Sequence, residues 1–417
     1  QLHRRQRQMC IRDSYNSVWF FLGEDLTTDL QYFILIAAIL LLPKILMRYG
    51  VPSGITAIVL GVATGFGLDW FEGSQTLYIL STLGITSLFL FAGMEVEVAV
   101  LKKNYKFLLK SIGLSLFLIM LTTVAIDYYF RLGTKASLIL ALGLTTPSTG
   151  FILNSVHGYE LTDEVKTWIR NKSIAAEIVA ILILFFTLQS ESIGKLLLSL
   201  AVIVGMILIL PYFFKLFLKK IAPFAPDSEM TFLVLIAFLC GIITREIGTY
   251  YLVGAFIVGM VASQFHHFDE DEKTGRLLYS LQLFFAFFVP FYFFRAGLTI
   301  SDMTFDWAGA LFGLGFLLIF IPLRYFTTFL PMRYLLNIGD DEHRKVSISL
   351  LPTLIFGVVI ALILKDEGVR NDAIVGLIIY TVVSSIIPAI LLKRTPPKNY
   401  DDTSCLLYTS DAADDGV

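Results

Sequence analysis

Charge is scarce in this sequence: of its 417 residues only 16% are Asp, Glu, Lys or Arg, against about 25% in soluble domains. Cysteine is scarcer still, with Cys10, Cys240 and Cys405 alone, and Cys10 and Cys405 lie in terminal stretches that read as foreign to the protein. Cys240 then stands singly in an apolar run, which excludes a disulfide framework and a thiolate metal site. Five histidines form no paired His/Cys set, so no metal site is expected. No phosphate-cradling glycine loop and no hydrolytic triad is found either, so neither an enzyme, nor a bound cofactor, nor a nucleic-acid partner is expected. What fills the sequence instead is hydrophobic residues, 56% of the total. Apolar stretches of about 20 residues, long enough to cross roughly 30 Å of hydrocarbon, recur from Gln31 to Leu392 and leave no room for a soluble domain.

The two ends read differently from the rest. Arg4–Ser14 (RRQRQMCIRDS) and Cys405–Asp414 (CLLYTSDAAD) back-translate to one oligonucleotide and to its reverse complement in another frame. Residues 1–14 and 404–417 are therefore expected to be adaptor-derived, and 15–403 to be the membrane domain. Setting them aside removes Cys10, Cys405, four basic and four acidic groups, so the net charge stays at −2. It also leaves room for native sequence beyond either end, a C-terminal domain included.

Apolar windows bounded by charge, Gly and Pro give about thirteen membrane segments: 31–48, 52–70, 76–99, 106–128, 136–155, 168–190, 194–218, 230–246, 250–264, 276–299, 307–330, 346–364 and 372–392. The expected fold is thus all-α and integral to the membrane, with a lipid bilayer as its surroundings. Alternate loops differ in Lys and Arg. One set is rich (Lys102, Lys103, Lys106 and Lys110; Lys166, Arg170 and Lys172; Lys219 and Lys220), while the other holds only Arg131, Lys135, Lys195, Arg245, Lys365 and Arg370. The rich side is read as cytoplasmic, which puts the N-terminus outside and the C-terminus inside.

Two motifs occur twice. LFLFAGMEV (Leu88–Val96) returns as FYFFRAGLT (Phe291–Thr299), and SGITAIVLGVA (Ser53–Ala63) returns as LVGAFIVGMVA (Leu252–Ala262), in each case about two hundred residues later. Segments one to six (about 31–190) then match eight to thirteen (about 230–392), with 194–218 as a connector. Seven crossings separate the halves, so the second enters from the opposite side and the repeat is inverted.

Within this frame a few polar residues stand out. TTPSTG, Thr145–Gly150, interrupts the fifth segment; Pro147 and Gly150 are read as a helix break, tolerated at membrane depth where it faces protein or a watery cavity. Thr145, Thr146, Ser148 and Thr149 offer hydroxyl oxygens to a partly dehydrated cation. A plain proline kink is the alternative. Pro352, Thr353 and Gly357 mark a second, weaker break in the twelfth segment. Glu177 lies alone in IAAEIVAILILFF; such a carboxylate can hold a proton or, once deprotonated, a cation. A structural ion pair competes with that reading. Arg295 and Arg324 are candidate charge partners, for the carboxylate or for the carbonyls of a broken helix, or else they snorkel to headgroups. Glu95 is a weaker candidate that serves equally as the end of a helix, and the loop His266–Lys273 reads as a pH sensor or a solvated connector.

These motifs resemble the monovalent cation:proton antiporter superfamily, in the branch that includes bacterial Na⁺/H⁺ and Kef-type K⁺/H⁺ exchangers. RYGVPSGITAIVLGVATG (Arg48–Gly65), LGITSLFLFAGMEV (Leu83–Val96) and GTYYLVGAFIVGMVAS (Gly248–Ser263) carry the likeness, in order, over 31–392. The resemblance implies thirteen helices with crossed, discontinuous fifth and twelfth helices, a moving core, a dimerisation domain and hence a homodimer, in a bacterial plasma membrane. It also implies a Na⁺ or K⁺ and a proton as the partners, exchanged by alternating access. TTPSTG matches the family's broken helix, Glu177 the second member of its acidic pair, and Arg324 a basic residue of the eleventh helix. The sequence departs from the family at Ala176, where the first acidic member is absent, and at Arg295. Rival readings are a Kef-type K⁺ efflux channel lacking its C-terminal domain, a non-transporting sensor, and a sodium-coupled solute carrier.

Overall fold

The computed structural model describes residues 28–47, 51–68, 70–71, 73–96, 105–156, 158–189, 192–225, 228–266, 272–303, 307–335 and 339–393. Both terminal stretches read as adaptor-derived, and 267–271 of the His266–Lys273 loop, lie outside the described residues. In chain order the helices are α1 Thr28–Met47, α2 Ser53–Gly67, α3 Gln75–Met94, α4 Tyr105–Phe130, α5 Thr134–Thr145, α6 Thr149–Val156, α7 Asp163–Gln189 and α8 Ile193–Lys220. They continue as α9 Glu229–Glu246, α10 Tyr251–His266, α11 Glu272–Ser301, α12 Trp307–Leu335, α13 Asp340–Ser349, α14 Leu354–Asp366 and α15 Asn371–Leu391. Because α5 with α6, and α13 with α14, each make one interrupted crossing, the fifteen helices of the described residues amount to thirteen units. Ten of these are long and apolar enough to span a bilayer, and α2 and α10 are shorter apolar helices.

The helix ends differ most from expectation where charge is concentrated. α7 starts at Asp163 rather than near 168, and α13 at Asp340 rather than near 346. Acidic residues in both first turns, Asp163 and Glu164, then Asp340, Asp341 and Glu342, suit the positive end of a helix. The Gly339 amide also donates to Glu342 Oε2 at 3.1 Å. A window that looks for apolar residues stops at the hydrocarbon edge, whereas these helices continue into the polar layer.

The helices sort into two bundles. α1, α2, α3, α8, α9, α10 and α11 pack mainly on one another, as do α4–α7 and α12–α15. In the first, α2 lies on α11 and α3 on α10. A side chain at Gly61 would run into the Phe294 carbonyl, and Gly297 Cα stands 3.0 Å from where its Cβ would be; Gly93 meets the Phe256 carbonyl and Gly259 Cα in the same way. Gly61 and Gly259 fall one place apart in the two copies of one repeated motif, as Gly93 and Gly297 do in the other. In each seam the glycine meets the carbonyl three residues before the facing glycine, Phe294 before Gly297 and Phe256 before Gly259, so one contact is made twice, with the halves exchanged. Apolar side chains such as Phe33, Phe117, Leu208 and Leu318 point outward from α1, α4, α8 and α12, as a lipid-facing belt requires.

Candidate ion-binding site at the helix crossing

The second bundle is organised by its two interruptions. α5 ends at Thr145, Thr146 turns to extended backbone (φ −85°, ψ 125°), and α6 begins at Thr149. α13 ends at Ser349 and α14 begins at Leu354. Pro147 and Pro352, which have no amide proton to give a continuing ladder, sit inside the gaps. The gaps are tied to each other: the Ser148 amide donates to the Pro352 carbonyl at 2.9 Å, and the Ile355 amide donates to Ser148 Oγ at 3.2 Å. Gly150 and Gly357, read from the sequence as part of the breaks, are instead helical residues of α6 and α14. The breaks lie at 146–148 and 350–353 because proline alone removes the donor. Gly357 has another task, since a Cβ there would strike the Thr381 side chain.

Each interruption leaves unpaired backbone dipoles at membrane depth, and charged side chains meet them. Glu177 of α7, 2% exposed, accepts from the Thr149 amide at the start of α6 at 3.2 Å, so a carboxylate faces the positive end of a half-helix. Arg324 of α12 does the converse. Its guanidinium donates to the carbonyls of Leu351 (2.5 Å) and Leu350 (2.6 Å) at the negative end of α13, and to Tyr380 Oη at 3.1 Å. Tyr380 in turn donates to the Leu144 carbonyl at 2.9 Å, linking the final turn of α5 to the same network. Arg324 is 7% exposed and does not snorkel. At the start of α14 hydroxyls take the place of a carboxylate, with Thr353 Oγ1 3.3 Å from Ser384 Oγ.

The other candidates are distributed around this crossing. The Thr145 hydroxyl donates back to the Ala141 carbonyl at 2.7 Å, the back-bonding expected of a kink. Ser148 pins the two gaps together, Thr149 is buried beside Glu177, and Thr146 is buried and turned to a cavity on the α4 side. Arg295 is not brought to Glu177: it lies over the Tyr78 ring at 4.6 Å, with Ser81 Oγ at 3.4 Å, in the first bundle. Glu95 caps the C-terminus of α3. Two residues escaped the sequence reading. Tyr380 looks like any aromatic residue of an apolar helix, and its hydroxyl matters only because Leu144 and Arg324 converge on it. Lys172, counted there with the basic loops, lies within α7 and lines the Thr146 cavity.

Crossed half-helices, with a buried carboxylate at one positive end and a guanidinium at one negative end, define a polytopic transporter of the inverted-repeat class. The chain belongs to the family described as "Sodium/hydrogen exchanger, transmembrane", which matches residues 34–394. Among curated relatives it is similar to the probable Na⁺/H⁺ antiporter 3 of Methanocaldococcus jannaschii, 26% identical over 87% of this chain and 95% of that protein. The Na⁺/H⁺-K⁺ antiporter GerN of Bacillus cereus is 25% identical over 67% of this chain and 74% of its own length. Such relatives are transporters rather than enzymes. A similar fold is seen in the sodium proton antiporter MjNhaP1 of M. jannaschii at pH 8, with a TM-score of 0.63 at 13% identity, covering 88% of this chain and 96% of that one.

Proposed function

We propose that this protein exchanges a monovalent cation, Na⁺ or K⁺, for a proton by alternating access, with Glu177 as the carrier of both. The observation that carries the reading is the placement of Glu177: a single carboxylate, shut from bulk water, on the first amide of a half-helix. Protonated, it is neutral and leaves that helix end to its own dipole; deprotonated, it offers a cation one full charge, with the Thr149 hydroxyl alongside. Thr145 and Thr146 contribute less on this view, one being bonded to its own helix and the other turned towards Lys172. One carboxylate gives an electroneutral cycle, one cation for one proton. The names of the relatives, Na⁺/H⁺ and Na⁺/H⁺-K⁺ antiporters, support the cation class and leave room for either ion.

The moving body in this proposal is the α4–α7 and α12–α15 bundle, which carries the site past the scaffold of the other bundle. The scaffold pairs two copies of the chain in a bacterial plasma membrane, with the N-terminus outside, and residues 15–403 form the transporting domain. The test is dissipation of a preset pH gradient in proteoliposomes on adding Na⁺ or K⁺, for the protein and for Glu177→Gln. Cation-driven proton movement that vanishes in Glu177→Gln is the expected result and identifies the ion. Equal signals from both proteins would remove Glu177 from the cycle.

A further inference from the structure

We propose that the cavity beside the first helix break binds the phosphate of an anionic phospholipid, whose acyl chain lies in the adjoining apolar groove between α4 and α12. The cavity, of about 60 Å³, is enclosed by α4, α7, α12 and the break itself. Its α7 wall is the stripe Lys172, Ala176 and Val179, spaced i, i+4, i+7 and so on one helix face. Glu177, five residues from Lys172, is turned about 140° away and is not part of the wall. No Asp or Glu lines the cavity. Lys172 makes no ion pair or hydrogen bond with any described residue, although an ammonium within an apolar helix calls for a counter-charge. Arg324 adds a second positive charge with donors to spare, since a guanidinium has five and two nitrogens serve the three bonds described. Thr146 and Thr328, 3% and 7% exposed, line the same space, and their hydroxyls bond to no described residue. The site thus presents two cations and two free hydroxyls, the chemistry that recognises a phosphate.

A lipid is favoured over a dissolved anion by what adjoins the cavity. The groove formed by Leu114, Ile319, Phe326, Leu330 and Tyr334 shares Leu114, Leu323 and Thr327 with it, and Leu318, Ile319 and Phe326 on its flank are exposed. The depth also fits. α7 has 27 residues and so is about 40 Å long, some two turns longer than the hydrocarbon is thick. With Asp163, Glu164, Lys166 and Arg170 in the polar layer, Lys172 comes at the level where headgroup meets acyl chain. Basic pockets between membrane helices at that level hold anionic headgroups. Through Arg324 the bound phosphate would brace the carbonyl end of α13, so occupancy should be read out as stability of the crossing.

The test measures thermal unfolding of the full chain in detergent, titrated with phosphatidylglycerol, with phosphatidylcholine of the same acyl chains, and with inorganic phosphate. Phosphatidylglycerol is expected to raise the midpoint most. Lys172→Gln is expected to weaken that response about fivefold, and Lys172→Arg to preserve it. Leu330→Asp, at the groove, should weaken it by blocking the chain, and serves alone if Lys172→Gln does not fold. The proposal is overturned if phosphatidylcholine or inorganic phosphate matches phosphatidylglycerol, or if the response persists unchanged in Lys172→Gln or, failing that variant, in Leu330→Asp.

Discussion

Arg324 illustrates how a charge can be kept inside a membrane protein without a carboxylate partner. Its guanidinium is stabilised, still charged, by two carbonyls that a continuous helix would have used and by a tyrosine hydroxyl. Arg324→Met leaves all three acceptors buried and without that donor, an expected loss of about 3 kcal/mol, visible as a lower unfolding midpoint. Arg324→Lys, with a point-like ammonium instead of a planar fork, should recover only part of it. A midpoint unchanged by Arg324→Met would mean that water replaces the guanidinium. Both Glu177 and Arg324 were legible as sequence, because an ionisable residue flanked by apolar ones is conspicuous. The sequence does not distinguish, however, between Arg324 pairing with Glu177 and capping a helix; that depends on where α13 ends. Lys172 was hidden for the opposite reason, since near other basic residues a lysine reads as part of a loop.

At the level of helices, the interruptions were visible in TTPSTG and around Pro352, but their limits were not. Proline marks the missing donor, whereas glycine in these segments marks close approach, and only the fold tells the two roles apart. The seams α2 on α11 and α3 on α10 make this distinction measurable. Gly61→Ala and Gly93→Ala each drive a methyl group into a backbone carbonyl of the facing helix, overpacking that costs about 3 kcal/mol or more when backbone cannot yield. Gly113→Ala in α4 and Gly205→Ala in α8 meet nothing within 4 Å and should be neutral, or stabilising by about 0.5–1 kcal/mol. Unfolding midpoints of the four variants would settle the matter; if all four behaved alike, the seams would not be the tight contacts described. The repeated motifs were plain in the sequence, yet which copy touches which was not, because periodicity shows equivalence and says nothing of contact.

For the whole molecule, the polar contacts described between the two bundles are gathered at one end. Lys365 Nζ of α14 donates to the Thr299 carbonyl of α11 at 3.0 Å and lies 3.5 Å from Asp302; Tyr250 Oη donates to Asp366 at 3.5 Å; and Gln189 of α7 donates to the Gly248 carbonyl at 2.7 Å. Any movement of one bundle against the other must part these groups. Lys365→Ala is expected to open this end more often, so that a cysteine at the buried Ile300 position reacts several-fold faster with a maleimide, in a background lacking Cys10 and Cys405. An unchanged rate would show that the contact does not hold the bundles together. None of these pairs was legible in the sequence, since their members lie far apart along the chain and each reads singly as a surface charge or a turn.

The exchanged seams also bear on how the protein is made. α2 and α3 emerge from the ribosome long before α10 and α11, and each has a glycine face that fits no helix of its own half. The first half must therefore wait in the membrane with both seams open until the second half is inserted. Assembly of the scaffold is completed by the last partner to arrive, α11, and a chain cut off after the connector helix α8 would lack the surfaces that hold α2 and α3 in place.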